Sequence, residues 1–148
     1  MKFSVVDGQE VPLSLLLEAD PSPESISSYL PDSWSFVAKE GGEVVAACIV
    51  KKIGNHIAEI FNISTSPKYQ RKSVGSKLLG FVLNKLADRS ISKVELGTGT
   101  FGYQLTFYQR FGFRVYAVEK DYFLRRYSQP IIEDGIQHKD RLRLYLDI

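Results

Sequence analysis

Apolar residues recur with a period of two along residues 56–63, interrupted by Glu59, and this pattern predicts a β-strand. One face of this strand is predicted to carry Ile57, Glu59, Phe61 and Ile63. The polar segment 64–69, which contains Pro67, predicts a turn. Apolar residues then return at i, i+4 spacing, and they predict an amphipathic helix with Val74, Leu78, Val82 and Leu86 on its apolar side. We take this strand, turn and helix as the centre of the fold.

The residues before this unit predict three further strands and two helices. Residues 34–39 alternate, and Gly41-Gly42 is typical of a hairpin turn that leads into a partner strand at 43–53. Residues 1–6 predict a short first strand, and the leucine-rich segment 11–19 predicts a helix. Ser22 and Pro23 are typical of the start of a second helix that runs to about residue 30. Consecutive antiparallel strands followed by a long helix indicate an α+β fold.

The residues after the helix predict three more strands. Residues 92–96 form the first of them, and it should run parallel to strand 56–63 because a helix connects the two. Residues 97–100, Gly-Thr-Gly-Thr, predict a flexible turn, and residues 101–110 predict a helix that ends before an αL residue at Gly112. Strands are predicted at 113–118 and 140–147, with a mixed segment at 121–137 between them.

The junction between the central strand and the long helix carries candidate binding chemistry. The first turn of a helix leaves backbone N–H groups unpaired, and the helix dipole makes that end partly positive. Ser73, Gly75 and Ser76 are small residues that let an anion approach the backbone, and Arg71 and Lys72 add positive charge. The junction is therefore either a phosphate or pyrophosphate cradle or an ordinary loop with solvated charges.

Two motifs in this chain resemble those of the GCN5-related N-acetyltransferase (GNAT) family. The run Gln70-x-x-Ser73-x-Gly75 resembles the acyl-CoA-binding motif Q/R-x-x-G-x-G/A of that family. The run Phe107 to Phe113, FYQRFGF, is similar to its F-Y-x-x-x-G-F segment. The order and spacing of the two motifs also match. One position departs, because Ser73 stands where the family usually has glycine.

The resemblance implies one N-acetyltransferase domain across residues 1–148. The implied fold is a mixed α+β fold, with a mostly antiparallel twisted sheet flanked by helices and a splayed parallel strand pair at the acyl-CoA site. The implied co-substrate is acetyl-CoA. Its pantetheine arm would pair with Ile63, Ser64 and Thr65, with the Ile63 amide as donor to the thioester oxygen. Its pyrophosphate would lie on the cradle Gln70, Arg71, Lys72, Ser73, Val74, Gly75 and Ser76.

Two residues are candidates for catalysis. Tyr108 matches the family's tyrosine near the coenzyme sulfur, where a phenol can protonate the departing thiolate. The alternative is that Tyr108 only packs in a core beside other aromatic residues. Glu59 interrupts an otherwise apolar strand face and is the candidate general base. The alternative is a structural glutamate paired with Lys51 or Lys52.

Composition and charge restrict the partners. The 148 residues are 44% hydrophobic with a net charge of +2, which indicates a globular chain and gives no sign of a nucleic-acid partner. No apolar run is long enough for a membrane span, no segment has signal-peptide character, and a single cysteine, Cys48, precludes an internal disulfide. We therefore expect a cytoplasmic protein without a membrane partner. His56 and His138 have no metal-ligand spacing.

The expected function is transfer of an acetyl group from acetyl-CoA to the amine of a small molecule or a protein. The alternative is a module that binds and senses acyl-CoA and catalyses nothing. A nucleotide-binding protein is the weaker alternative, since the sequence lacks G-x-x-x-x-G-K-[ST]. The basic segments Arg125-Arg126 and 139–143 are interpreted as a solvated face or a subunit contact, which leaves a homodimer open.

Overall fold

A computed structural model describes residues 1–148, and these form two compact units. The first unit comprises residues 1–92 with Ile148, and the second comprises residues 93–147. No helix in either unit is both long enough and apolar enough to cross a bilayer. The assignment of a single domain to residues 1–148 stays a prediction, and each unit is described by itself below.

The sheet of the first unit has four antiparallel strands in the order β1-β2-β3-β4. Their bounds are Lys2–Val6 for β1, Trp34–Glu40 for β2, Glu43–Gly54 for β3 and Ile57–Thr65 for β4. Gly41 and Gly42 both have positive φ, at 57° and 83°, as a tight β2–β3 hairpin of this twist requires. The four strands predicted from the alternating pattern are thereby confirmed.

Three helices belong to this unit: α1 (Leu13–Leu16), α2 (Pro23–Tyr29) and α3 (Val74–Asp88). The side chain of Ser22 accepts a hydrogen bond from the Ser25 N–H, so the predicted cap of α2 is confirmed. The helix predicted over 11–19 is too long. After Leu16 the chain tightens into i→i+3 turns, in which the Glu18 N–H bonds to the Leu15 carbonyl at 3.1 Å.

A β-bulge in β4 interrupts its pairing with β3 but leaves the predicted face of the strand intact. Ile49 pairs with Asn62 and Val50 pairs with Ile60, so Phe61 has no partner of its own on β3. Burial nevertheless keeps the period of two: Ile57, Glu59, Phe61 and Ile63 are all half-buried, whereas the residues between them are buried, so the predicted face is confirmed. No glycine or proline marks the position of this bulge.

The core of the first unit lies under its helices. Long helix α3 buries its predicted apolar side, including Val74, Leu78, Val82 and Leu86, and contacts β2, β3 and β4. A second cluster forms where α1 and α2 meet the apolar residues of β2 and β3, and it contains Leu16, Ile26, Tyr29, Val37, Ala47 and Ile49. Apolar burial of this kind stabilises a fold by about 25 cal/mol per Å² of surface removed from water.

The second unit contains an antiparallel sheet in the order β5-β9-β6. Its elements are β5 (Lys93–Gly99), α4 (Tyr103–Arg110), β6 (Arg114–Glu119), α5 (Tyr122–Arg126), the hairpin β7 (Ile132–Glu133) with β8 (Ile136–Gln137), and β9 (Arg141–Asp147). Gly112 has φ 99° directly after α4, as predicted for a residue at a helix C-terminus. The mixed segment 121–137 resolves into α5 and the β7–β8 hairpin.

The Gly-Thr-Gly segment is strand and was wrongly predicted as a flexible turn. Residues 97–99 pair with 141–143 of β9, and their glycines make room for side chains that cross the strand. A Cβ at Gly97 would lie 2.6 Å from Nε of Arg141, and one at Gly99 would lie 2.5 Å from Nδ1 of His138. The glycines are therefore required by close approach. Helix α4 accordingly begins at Tyr103 and not at residue 101.

Both units combine antiparallel strands with packed helices. The predicted fold class, a mixed α+β fold with a mostly antiparallel sheet and flanking helices, is confirmed.

Candidate active site

The C-terminal end of β4 supplies the first part of the candidate site. Ile63, Ser64 and Thr65 pair with Cys48, Ala47 and Ala46 of β3. Ser64 is buried and donates from its hydroxyl to Oδ1 of Asn62 at 2.8 Å, whereas Ile63 and Thr65 are half-buried. The Ser66 N–H continues the ladder by donating to the Val45 carbonyl at 2.8 Å. This end of the strand is thus held in place by both backbone and side-chain bonds.

The loop after β4 returns to the strand through Gln70. Its side-chain amide donates to the Thr65 carbonyl at 2.9 Å. Pro67–Tyr69 forms a 3₁₀ turn between the two residues, which brings the loop back within reach. Gln70 therefore fixes the start of the cradle segment to the end of β4, and the structure brings segments 63–65 and 70–76 together as one candidate site.

The first turn of α3 offers free backbone donors. Ser73 precedes the helix in the αL conformation, with φ 64° and ψ 13°, and its side chain makes no capping bond. The first bond of the helix is from the Lys77 N–H to the Ser73 carbonyl at 3.0 Å. The N–H groups of Val74, Gly75 and Ser76 come before that bond and have no acceptor within the helix. They point out of the partly positive end of a helix of 15 residues.

Charge and backbone conformation at this end both suit an anion. Residues 60–87 contain lysine and arginine but no aspartate or glutamate. Arg71 and Lys72 are exposed in the loop, and the Lys72 ammonium lies 5.7 Å from the centre of the Tyr69 ring. Arg71 and Ser73 both have positive φ, at 62° and 64°, and alternation of this kind turns successive N–H groups toward one point. These residues fit a pyrophosphate group.

Glu59 lies on the same strand, before the bulge. It is half-buried, and the register places it directly opposite Lys51 of β3. That position fits a general base near the candidate site, and it also fits a cross-strand pair with the lysine. The role of Glu59 stays a prediction.

Tyr108 lies in the second unit, in the last turn of α4. Only 5% of its surface is exposed, and its ring packs edge-on against Phe107 and Phe113 at centroid distances of 5.3 and 5.7 Å. Its carbonyl accepts from the N–H groups of Phe111 and Phe113. Its ring is thus set rigidly by its neighbours, and its role as general acid stays a prediction.

A buried polar cluster beside β4 was missed by the sequence analysis. Nδ2 of Asn62 donates to the Leu16 carbonyl and to the Tyr29 hydroxyl, both at 3.0 Å. The Tyr29 hydroxyl in turn donates to Oδ2 of Asp20 at 2.9 Å. Asp20, Tyr29 and Asn62 are each at most 6% exposed. A polar residue inside an apolar strand was the available signal, but its partners are 33 and 46 residues away in the chain.

Two other candidates carry no site. Cys48 is fully buried, and burial raises the pKa of its thiol, so the residue is structural. No group of three or more histidine, cysteine, aspartate or glutamate side chains is placed to hold a metal ion.

Comparison with known proteins places this geometry in context. The family model described as Acetyltransferase (GNAT) family matches residues 12–113. A curated relative from Bacillus subtilis (strain 168), named Uncharacterized N-acetyltransferase YvbK, is 37% identical over 135 residues, which cover 90% of this chain and 87% of the relative.

Two solved structures are similar over nearly their whole length. One is described as an IAA acetyltransferase from Bacillus cereus ATCC 14579. It is 35% identical, with a TM-score of 0.94 over 99% of both chains. The other is a GNAT family acetyltransferase from Elizabethkingia anophelis with acetyl-CoA bound. It is 32% identical, with a TM-score of 0.93 over 99% of this chain and 97% of that one.

Proposed function

The chain belongs to the acetyltransferase (GNAT) family and is an N-acetyltransferase, and from this premise we propose how its residues use acetyl-CoA and which acceptors it takes. The observation that carries the proposal is the start of α3. There, unpaired N–H groups of Val74, Gly75 and Ser76 face out of a helix end that follows two αL residues and carries only basic charges.

We assign the binding of acetyl-CoA to the two segments of the first unit. The segment Gln70–Ser76 receives the pyrophosphate through backbone N–H groups, with Arg71 and Lys72 adding charge. Ile63, Ser64 and Thr65 pair with the pantetheine arm as an added strand would. The Ile63 N–H donates to the thioester oxygen, where one such donor contributes about 3–4 kcal/mol to stabilising a transition state. Acetyl-CoA supplies the activated acyl group.

Two side chains then transfer the protons of the acceptor amine and the CoA thiol. Glu59 takes the proton of the acceptor ammonium, directly or through a water, so that the amine can attack the thioester carbon. Tyr108 protonates the departing thiolate of CoA. The net reaction forms the amide N–C bond and breaks the C–S bond. Of the two protons that the acceptor ammonium loses, one leaves through Glu59 and the other replaces the proton that Tyr108 gives to the thiolate. Support for these roles is the motif match at Tyr108, the place of Glu59 in an otherwise apolar strand face, and the buried or half-buried setting of each side chain.

The acceptor is an amine of a small molecule or the amino group of a protein. In the GNAT family, the two helices that correspond to α1 and α2 border the entrance for the acceptor. We therefore assign acceptor specificity to α1 and α2. We propose a cytoplasmic enzyme with neither a nucleic-acid nor a membrane partner. A homodimer is the proposed assembly.

Release of CoA thiol from acetyl-CoA, followed with a panel of small amines and N-terminal peptides, tests the proposal. Glu59→Gln should lower kcat at least tenfold with the best acceptor, and the affinity for acetyl-CoA should stay within about threefold. Lys51→Gln is the matched control on the opposite strand. Equal losses in the two variants would show a structural ion pair in place of a base. Acetyl-CoA binding without thiol release for any amine would favour the sensing module.

A further inference from the structure

We propose that Tyr29 and Asn62 are positioning residues, which hold the cofactor-pairing end of β4 against helices α1 and α2 so that thioester and acceptor amine meet in attacking geometry. This inference rests on the proposed function. It concerns two side chains that carry neither the pyrophosphate nor a proton in that proposal, and that lie within the first unit.

The Asn62 amide joins three elements at one point. One Nδ2 contact is to the Leu16 carbonyl at the end of α1, and the other is to the Tyr29 hydroxyl at the end of α2, each at 3.0 Å. Oδ1 accepts from the Ser64 hydroxyl at 2.8 Å on β4 itself. Both donors of the amide and its acceptor are used, at a residue that is only 4% exposed. A fully satisfied buried amide fixes its surroundings in a single arrangement.

The position of Asn62 gives that arrangement a role in the reaction. Asn62 directly follows the bulged residue Phe61 and directly precedes Ile63, whose N–H is assigned to the thioester oxygen. The bulge sets the direction of every later N–H on the strand. Catalytic donors must be held within about 0.5 Å of their productive position. The Asn62 contacts are side-chain bonds that hold this part of β4, in addition to the bond from Gln70 to the Thr65 carbonyl.

Tyr29 extends the same contact into the acceptor-facing helices. Its hydroxyl accepts from Asn62 and donates to Oδ2 of Asp20 at 2.9 Å, and its ring stacks on Phe61 at 5.3 Å. Oδ1 of Asp20 accepts from the Ser22 N–H at 3.2 Å, in the connection between α1 and α2. The chain of bonds therefore runs from the α1–α2 connection through α2 to the end of β4, to which the pantetheine arm is assigned.

Tyr29→Phe is the most direct variant, because it keeps the stacked ring and removes only the hydroxyl. We expect kcat to fall about ten- to a hundredfold, since a misplacement of 1 Å can cost about a hundredfold. The dissociation constant for acetyl-CoA, measured by calorimetry, should change less than threefold because the α3 cradle is untouched. Amide hydrogen exchange should become faster in residues 62–66 and stay unchanged in α3.

Ile26→Val is the matched control. Ile26 is a buried residue of α2 that takes no part in the bonds, so its substitution loosens the same helix without cutting them. The double variant Tyr29→Phe with Asn62→Ala should lose no more activity than Asn62→Ala alone, because both changes break one shared contact. An equal loss of kcat in Ile26→Val and Tyr29→Phe would reduce Tyr29 to a stabilising residue and overturn the proposal.

The two possible failures are separable. A parent protein that releases no thiol from acetyl-CoA with any amine refutes the proposed function, whatever the variants do. Unchanged exchange in residues 62–66 of Tyr29→Phe refutes the positioning role even if the parent is active. Faster exchange there together with lower kcat and unchanged acetyl-CoA affinity supports it.

Discussion

The side-chain amide of Gln70 donates to the backbone carbonyl of Thr65 at 2.9 Å. This bond links the two segments to which acetyl-CoA binding is assigned, since Thr65 ends β4 and Gln70 begins the cradle before α3. The motif glutamine thus acts on the protein backbone and shapes the cradle. The carbonyl of Thr65 is exposed to a competing water once that donor is lost.

Replacement of Gln70 should weaken cofactor binding. Gln70→Ala removes one hydrogen bond of about 0.5–1.5 kcal/mol, so the dissociation constant for acetyl-CoA should rise about two- to tenfold. Gln70→Glu is the stringent comparison, because a carboxylate repels both the Thr65 carbonyl and the incoming pyrophosphate, and its loss should be larger. Calorimetric titration with acetyl-CoA measures both. An alanine variant that binds as tightly as the parent would contradict the bracing role.

Ser73 stores backbone strain that glycine would relieve. A non-glycine residue in the αL region costs about 1–2 kcal/mol, and the greater freedom of glycine in the unfolded chain offsets part of the gain. Ser73→Gly should therefore raise the free energy of unfolding by about 0.5–1 kcal/mol. Each kcal/mol corresponds to a rise of about 2–4 °C in Tm for a protein of this size.

Ser76→Gly supplies the matched control for that change. Ser76 lies inside α3, where glycine should destabilise by about 0.5–1 kcal/mol. The two serine-to-glycine changes should thus shift the urea unfolding midpoint in opposite directions. Shifts of the same sign would show that the positive φ of residue 73 does not cause the stability change in Ser73→Gly. Weaker acetyl-CoA binding by Ser73→Gly would mean that the serine hydroxyl makes a contact of its own.

Tyr108→Phe should separate catalysis from folding. The ring contacts with Phe107 and Phe113 are kept, so the variant should fold, whereas loss of the phenolic proton should lower kcat about ten- to a thousandfold. Tyr103→Phe on the same helix is the control, because Tyr103 is 72% exposed. Steady-state thiol release measures both. An unchanged kcat in Tyr108→Phe would remove Tyr108 from the mechanism.

Two glycines should respond oppositely to alanine. A Cβ at Gly99 would lie 2.5 Å from Nδ1 of buried His138, so Gly99→Ala should destabilise by about 1–3 kcal/mol. Nothing lies within 4 Å of a Cβ at Gly80 in α3, so Gly80→Ala should stabilise by about 0.5–1 kcal/mol. Urea unfolding compares them. Full tolerance of alanine at 99 would contradict the close packing of His138 on β5.

The buried thiol of Cys48 should make stability depend on alkaline pH. Burial raises the pKa of the folded thiol well above the value of about 8.5 for an unfolded one. The folded state is therefore fully stabilised by the neutral thiol when the pH is below the pKa of the unfolded thiol. This stabilisation is lost progressively as the pH rises above that pKa. Above about pH 9, the free energy of unfolding of the parent should fall relative to that of Cys48→Ala by about 1.4 kcal/mol per pH unit.

A thiol reagent gives an independent check on Cys48. The native protein should be inert toward it, and reaction should occur only on unfolding. Rapid labelling of the folded protein would show that the residue is accessible.

Much of the fold could be predicted because its signals are local. The i, i+4 pattern of α3, the glycine pair before β3 and the Ser22 cap each lie within a few residues of the structure that they specify. The pyrophosphate cradle was likewise found as a short motif that opens a helix.

The missed features depend on residues that are distant in the chain. The buried bonds of Asn62, next to the bulge at Phe61, are made to Leu16 and Tyr29 on two other elements. The glycines at 97 and 99 were interpreted as a flexible turn. They are required by the side chains of Arg141 and His138, which follow about 40 residues later in the chain, after α4 and α5. A local sequence pattern does not show which distant residues will contact each other in the fold.

Thermal unfolding with acetyl-CoA, and with ATP as the control anion, tests the central claim most directly. Acetyl-CoA at about a hundred times its dissociation constant should stabilise the protein by about 2.7 kcal/mol, and Tm should rise by several degrees. ATP should leave Tm unchanged, and Gly75→Val should abolish the rise by filling the cradle with a side chain. A parent protein whose Tm does not respond to acetyl-CoA, or responds equally to ATP, would contradict the assignment of this site to acetyl-CoA.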